Sequence, residues 1–345
     1  SLQGADVSVA VRDATGRRVF DRDPGRRQMP ASTMKSVTAA TVLSTLGSDH
    51  RFRTTVGATG EVVDGVLDGD LVLRGGGDPV LSTDDYRTHV YPSRPATSIE
   101  DLADAVADAG ITRVDGQLVA DAAGWREAYI ADQNARHITQ LTVDAGLTVD
   151  VEIPEDAPVE VELHGAPDPV RTAAEVFAAE LADRGISVRG GPAVATRPVV
   201  GTDPVAAVES PPVAELLAFT LQRSDNHLAD TLLLAAAHAA TGDGSWAAAE
   251  RTAAAVLAGL GLDPAGLRVA DGSGLSRLDR LTAAQLADLD VAMMAGPHAD
   301  AWQASLAVAG QTGTLRGRLR GTAADGRFVG KTGTLDDVKA VAGHV

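Results

Sequence analysis

The chain changes character twice along its 345 residues, and these changes limit how it can fold. Residues 1–55 show an alternating hairpin pattern and then a helical pattern, whereas residues 56–204 are rich in Gly, Asp and Val with short strand-like runs. From residue 205 the chain is strongly helical, and it closes with strand patterns. Such a division predicts one discontinuous domain, residues 1–55 and 205–345, interrupted by an inserted α+β domain over residues 56–204.

Within the insertion, helical patterns cover residues 99–109 and 172–184. Alternation over residues 149–163 predicts two strands around a turn at residues 154–158. A small third subdomain could occupy residues 149–170.

A helical pattern over residues 31–46 carries the first chemically informative pair. Ser32 falls in its first turn, and Lys35 follows one turn later on the same face. A hydroxyl and an amine are thus expected side by side at the positive end of the helix dipole, which favours negative charge on the hydroxyl oxygen.

Lysine is scarce in this chain. Lys35, Lys331 and Lys339 are its only lysines, although Lys and Arg together number 30. Arginine stays charged, whereas lysine loses its proton when its surroundings depress its pKa. The lysines are therefore the first candidates for proton transfer, and scattered lysines without a role are the alternative.

Composition excludes several classes of function. The formal net charge of −17 repels phosphate backbones, so a nucleic-acid partner is not expected. The chain contains no run of about 18 apolar residues, so a membrane span is not predicted. The eight histidines show no paired ligand spacing and cysteine is absent, so neither a metal nor another cofactor is predicted.

Two further motifs follow in the last third of the chain. Ser224–Asn226 lies on a tight connection between two apolar helical patterns, where the residues either cap helices or face a cleft. Lys331–Thr334 lies on a predicted strand after Arg327–Val329. Gln311–Leu315 nearly repeats the second of these motifs, but glutamine cannot exchange a proton as lysine does, so this segment is interpreted as structural.

Taken in order, Ser-x-x-Lys, Ser-x-Asn and Lys-Thr-Gly resemble the motif set of penicillin-binding proteins and class A β-lactamases. The long separation of the first two motifs is similar to the low-molecular-mass D-alanyl-D-alanine carboxypeptidase/endopeptidase family, peptidase family S13 (class C). Residues 74–79, 271–277 and 308–310 also resemble that family. The resemblance implies a serine β-lactamase/DD-peptidase-like domain, an antiparallel sheet flanked by helices plus an all-helical subdomain.

The residue types and this resemblance together assign roles. Ser32 would be the nucleophile and Lys35 the base, neutral at the moment of attack because two cations close together, Lys35 itself and Lys331, push its proton off. Ser224 would relay a proton to the leaving amine, and Asn226 would hold Lys35 and the substrate amide.

The third motif would bind the substrate. Lys331, Thr332 and Thr334 would form a cationic, hydroxyl-lined place for a terminal carboxylate, and Gly333 lies between them. By resemblance, the backbone N–H groups of Ser32 and Thr334 would form an oxyanion hole. Arg277 would position the substrate side chain, and an arginine that only solvates its loop is the alternative.

The resemblance implies a serine-type D-Ala-D-Ala carboxypeptidase or endopeptidase that acts on peptidoglycan stem peptides and is acylated by β-lactams. We expect it outside the cytoplasm, with a signal segment outside these residues. One alternative is a serine β-lactamase or esterase, against which the long insertion counts. Another is a non-catalytic penicillin-sensing, cell-wall-binding module, against which the intact Ser32, Lys35 and Lys331 count.

Overall fold

The computed structural model describes residues 4–125, 128–129, 137–152 and 159–345. Its helices are α1 (Met34–Leu46), α2 (Ile99–Asp108), α3 (Pro169–Asp183), α4 (Val213–Arg223), α5 (Asn226–Thr241), α6 (Trp246–Gly259), α7 (Ala283–Ala295) and α8 (Ala299–Ser305). Within these ranges, no helix combines the length and the apolar character that crossing a membrane requires.

The strands are short. In chain order they are β1 (Val9–Arg12), β2 (Arg18–Arg22), β3 (Arg53–Ala58), β4 (Val62–Val63), β5 (Val66–Leu67), β6 (Leu71–Arg74), β7 (Leu81–Ser82), β8 (Thr97–Ser98), β9 (Arg113–Val114), β10 (Leu118–Asp121), β11 (Ala128–Tyr129), β12 (His137–Ile138), β13 (Leu147–Glu152), β14 (Glu160–Gly165), β15 (Ser187–Val188), β16 (Pro192–Val194), β17 (Asp203–Glu209), β18 (Ala307–Val308), β19 (Val329–Leu335) and β20 (Val338–His344).

The chain divides into two compact units. One, here called the motif unit, combines Ser1–His50 with Pro212–Val345 and carries all three motifs. The other, the inserted unit, is the contiguous segment Arg51–Pro211.

The inserted unit is built on a five-stranded sheet of order β16-β10-β6-β3-β17. Strand β10 runs parallel to β16 and β6, while β3 runs antiparallel to β6 and β17. Helix α2 buries one apolar stripe at helical spacing, formed by Ile99, Leu102, Ala103 and Val106. Phe177 of α3 belongs to the same core. Both predicted helices are confirmed.

The start of α3 differs from the prediction for a local reason. Asp168 caps the helix by accepting the backbone N–H of Arg171, and Pro169 occupies its first turn, so α3 begins before residue 172. The predicted strand pair is confirmed as β13 and β14, which pair antiparallel from Leu147–Gly165 to Glu152–Glu160. Its predicted turn, residues 154–158, lies outside the described residues.

Helix α1 is the centre of the motif unit and contacts α4, α5, α6, α7 and β19. Its residues 34–43 are all buried. Ala, Ser and Thr alternate with larger apolar residues around this helix, so neighbouring helices can approach it from every side. The unit also contains the β1–β2 hairpin and the antiparallel sheet β18-β19-β20.

The predicted start of α1 at residue 31 is wrong by three residues. Ala31–Thr33 form a tight 3₁₀ turn, and the α-helix begins at Met34. The cause is Ala31, whose φ of +47° lies in the left-handed region that interrupts a right-handed helix. Ser32 therefore lies in the tight turn before α1.

Candidate active site

The first motif places the Ser32 hydroxyl beside a fully buried amine. Lys35 Nζ lies 3.4 Å from Ser32 Oγ. It donates to Asn226 Oδ1 at 2.8 Å and to the Ser273 carbonyl oxygen at 2.6 Å. A neutral amine has two N–H bonds for these two acceptors and one lone pair left for the hydroxyl proton of Ser32. The contacts are therefore suited to a base that acts on Ser32.

In the second motif, Asp225 caps a helix, whereas Ser224 and Asn226 contact the lysines of the site. Asp225 caps α5 by accepting the backbone N–H of Leu228 at 2.9 Å. Ser224 ends α4 with a φ of +60°, a conformation in which a serine is uncommon. Its hydroxyl accepts from Lys331 Nζ at 2.9 Å, while Asn226 binds Lys35. Both motif side chains outside the cap thus contact the scarce lysines.

The third motif lies on β19, between β18 and β20. Lys331 is fully buried, and Nζ also donates to the Thr332 carbonyl oxygen at 2.8 Å. The Thr332 hydroxyl donates to Thr314 Oγ1 at 2.8 Å, so the near-repeat at residues 311–315 supports this strand. Thr334 is exposed.

Gly333 is where β19 passes the turn that carries Ser32. A Cβ atom at this position would lie 2.6 Å from the Pro30 carbonyl oxygen and 3.1 Å from the Ser32 backbone nitrogen. These neighbours are backbone atoms, which cannot move aside as a flexible side chain can. The third motif therefore needs glycine at this position to bring β19 against the first motif.

We expect Gly333→Ala to lower stability by about 1–3 kcal/mol, because overpacking at a close contact forces backbone shifts. It should also slow covalent labelling of Ser32 by benzylpenicillin. Denaturant unfolding and intact-mass kinetics check both effects. Gly259→Ala is the matched control, since nothing lies within 4 Å of its Cβ position at the end of α6. If both variants behave alike, the contact at Gly333 is unimportant.

Burial lowers the pKa of both lysines. The pKa of Lys35 falls from 10.5 to about 8 because burial penalises the charged amine, although Asp230, Asp271, Asp225 and Asp279 oppose the shift. The pKa of Lys331 falls from 10.5 to about 7, first through burial and then through the charges of Lys35 and Arg318. The expected cause was partly wrong, because burial and not Lys331 is the main reason that Lys35 can lose its proton.

Arg277 contacts Asp337 and none of the motif residues' side chains by a hydrogen bond among the described residues. Its guanidinium forms two 3.0 Å hydrogen bonds to the carboxylate of Asp337, and this carboxylate raises the pKa of Arg277. Both side chains are exposed. A cavity of about 530 Å³ lies beside Arg277 and the end of β19, with Thr334 in its lining. Arg277 therefore lies next to the third motif but contacts Asp337.

Sequence reasoning missed two groups that the structure brings to the site. The Ser273 carbonyl oxygen and the Thr314 hydroxyl contact Lys35 and Thr332, respectively. A backbone carbonyl carries no sequence signal, although Ser273 lies within the stretch at residues 271–277 that resembles the S13 family. Among the described residues, no group of three or more His, Asp or Glu is suited to hold a metal ion.

The chain belongs to the D-Ala-D-Ala carboxypeptidase 3 (S13) family, whose sequence profile matches residues 1–136 and 130–345. It is 31% identical to the D-alanyl-D-alanine carboxypeptidase of Actinomadura sp. (strain R39), over 100% of this chain and 76% of that protein. It is 32% identical to Carboxypeptidase DacB of Mycolicibacterium smegmatis, over 98% of this chain and 73% of that protein.

The fold matches that of a solved structure. Penicillin binding protein 4 (dacB) from Haemophilus influenzae superposes with a TM-score of 0.79 at 21% identity, over 97% of this chain and 86% of that one. The same protein complexed with a novel β-lactam gives a TM-score of 0.78 at 20% identity, over 97% and 85% of the two chains. The predicted fold class, α+β with a serine β-lactamase/DD-peptidase-like domain, is confirmed.

Proposed function

We propose that this protein is a serine-type D-Ala-D-Ala carboxypeptidase that acts on peptidoglycan stem peptides through an acyl-enzyme on Ser32. The observation that carries the proposal is the position of Lys35 Nζ, in contact with Ser32 Oγ, Asn226 Oδ1 and the Ser273 carbonyl oxygen. Membership of the S13 family and the similarity to a D-alanyl-D-alanine carboxypeptidase support the substrate class.

Acylation begins when neutral Lys35 takes the proton of the Ser32 hydroxyl. Oγ then attacks the carbonyl carbon of the penultimate D-Ala and forms a tetrahedral oxyanion. The backbone N–H groups of Ser32 and Thr334 would donate to this oxyanion, and losing one such donor costs about 3–4 kcal/mol in the barrier. The passage of β19 close to the Ser32 turn at Gly333 supports the pairing of these two donors.

Collapse of the intermediate breaks the bond to the terminal D-Ala. Ser224, whose hydroxyl accepts from Lys331 at 2.9 Å, would pass a proton to the leaving amine. Water then hydrolyses the ester on Ser32, which restores the hydroxyl. Lys331, Thr332 and Thr334 would hold the terminal carboxylate of the substrate, because a cation and two hydroxyls complement an anion.

β-Lactams would acylate Ser32 by the same attack. Opening of the lactam ring leaves its nitrogen attached to the acyl group, so the adduct carries the whole mass of the antibiotic. A covalent shift of one benzylpenicillin mass, together with release of D-alanine from a diacyl D-Ala-D-Ala peptide, tests the proposal. Rapid nitrocefin turnover would favour a β-lactamase, and penicillin binding without D-alanine release would favour a sensing module.

The proposal includes two finer points. Endopeptidase cleavage of cross-linked stem peptides requires the same chemistry, so hydrolysis of a cross-linked muropeptide should be measured beside D-alanine release. Because peptidoglycan lies outside the cytoplasmic membrane, we also propose an extracytoplasmic location, which fractionation of cells producing the tagged protein would test.

We expect a bell-shaped dependence of the acylation rate on pH. Lys35, with a pKa of about 8, must be neutral to accept a proton, whereas Lys331, with a pKa of about 7, must be protonated to donate. A minority of molecules has both lysines in the required state, and this fraction rises up to about pH 7 and falls above about pH 8. The optimum therefore lies between these values, and the two limbs belong to the coupled pair of lysines. Stopped-flow acylation across this range measures it, and a flat profile would contradict the assignment.

A further inference from the structure

Helix α5 reaches Lys35 by two routes. Asn226 and Asp230 are four residues apart, so both side chains face the same side of the helix. Asn226 accepts directly from Lys35 at 2.8 Å, whereas Asp230 Oδ1 accepts the backbone N–H of Gly272 at 2.8 Å. The next residue, Ser273, gives its carbonyl oxygen to Lys35 at 2.6 Å. Asp230 is therefore linked to the amine through two consecutive loop residues, Gly272 and Ser273.

Gly272 is held on both sides. Its carbonyl oxygen accepts the Thr38 hydroxyl of α1 at 2.6 Å, one turn after Lys35, while its N–H binds Asp230. A Cβ atom on Gly272 would lie 2.8 Å from the Ala229 carbonyl oxygen. This residue therefore fits tightly between α1 and α5, and loss of the Asp230 acceptor should move the Ser273 carbonyl.

Asp230 is also a buried carboxyl group with one oxygen left without a hydrogen bond among the described residues. Its side chain is fully buried, and its Oδ2 has no hydrogen-bond partner in the part of the chain that the structure describes. Burial raises the pKa of Asp230, as does the like charge of Asp271, whereas Lys35 lowers it. The titratable groups around Lys35 are Asp225 at the N-cap of α5, Asp230 of α5, Asp271 and Asp279 of the adjoining loop, and Lys331 of β19.

We propose that Asp230 is a positioning residue for the acylation: through Gly272 it fixes the Ser273 carbonyl on Lys35, and its carboxylate stabilises the ammonium form of that lysine. The inference rests on the proposed function, because it needs Lys35 as the base for Ser32. A nearby carboxylate stabilises the ammonium form, so ionised Asp230 delays deprotonation of Lys35 as pH rises.

Two substitutions separate the hydrogen bond from the charge. Asp230→Asn keeps an oxygen that accepts from Gly272 but removes the charge. We expect its acid limb of the acylation profile to move down by about one pH unit, and its maximal rate to rise a few fold, because more molecules then combine a neutral Lys35 with a protonated Lys331. Asp230→Leu removes the acceptor as well, and its maximal rate should fall up to about 100-fold because the carbonyl on Lys35 is no longer fixed.

Asp290→Asn is the matched control. Asp290 is another buried carboxylate of the motif unit, on α7, where it accepts from Trp302 Nε1 at 2.9 Å and contacts His344. It is not among the charges that act on Lys35. Its variant should keep the acid limb of the wild type. Thermal unfolding of all variants identifies any that do not fold, and Asp230→Asn alone is then sufficient for the test.

The experiment distinguishes the two proposals. Acylation of the wild type at Ser32 with an unmoved acid limb in Asp230→Asn would overturn only the role of Asp230. An equal shift in Asp290→Asn would do so too, because the effect would then follow net charge. Absence of any adduct on wild-type Ser32 would instead overturn the proposed function.

Discussion

Ser32→Ala should abolish the covalent benzylpenicillin adduct and lower D-alanine release by on the order of 10⁴-fold or more. The reason is that the acyl-enzyme needs an oxygen nucleophile where Lys35 Nζ can take its proton, 3.4 Å away. Intact-mass spectrometry after incubation with benzylpenicillin measures the first effect, and an amino-acid assay measures the second.

Ser36→Ala is the control for this change. Ser36 is a buried serine on the same helix, and it has no place in the proposed chemistry. It should be acylated as the wild type is. An adduct that persists on Ser32→Ala would show that another residue is the nucleophile, and peptide mapping would locate it.

Lys35→Met should lower the acylation rate constant by about 10²–10⁴-fold, the usual contribution of a positioned general base. Methionine has a similar length and can fill the buried space, but it cannot accept a proton. Lys35→Arg should be equally slow, since a guanidinium keeps its proton at all accessible pH values. Methionine removes both the basic nitrogen and the positive charge, whereas arginine keeps the charge, so the two variants together show which of these properties acylation needs.

Thr41→Val controls for disturbance of α1. Thr41 is buried two turns from the start of the helix, and its hydroxyl donates to the Val37 carbonyl oxygen of the same helix at 2.8 Å. This variant should be acylated at nearly the wild-type rate. A wild-type rate in Lys35→Met would transfer the role of base to another group, with Lys331 the first candidate.

The helices of both units could be predicted because their apolar residues recur at helical spacing and their caps are explicit. The stripe of α2 and the Asp225 cap of α5 are examples. The motifs could be recognised because lysine is scarce and because three short patterns occur in a known order. Helix α8, with seven residues, is too short to show a period, and the sequence did not indicate it.

The sequence could not predict contacts that join distant segments through backbone atoms. The Ser273 carbonyl oxygen on Lys35 could not be foreseen, because every residue has a carbonyl group. The positive φ of Ala31 could not be predicted either, since alanine rarely adopts positive φ values. The contact of Thr314 was not predicted, because the near-repeat was judged by Gln311, which cannot exchange a proton, whereas Thr314, three residues later, accepts from the Thr332 hydroxyl.

The division of the motif unit around the inserted unit has a consequence for synthesis. The helix that carries Lys35 leaves the ribosome long before α4 and α5, because all of Arg51–Pro211 is translated between them. The intervening segment is contiguous and can fold as soon as it is complete. During synthesis, the apolar residues of α1 therefore stay without their helical partners, and open to aggregation, until the last third of the chain has been made.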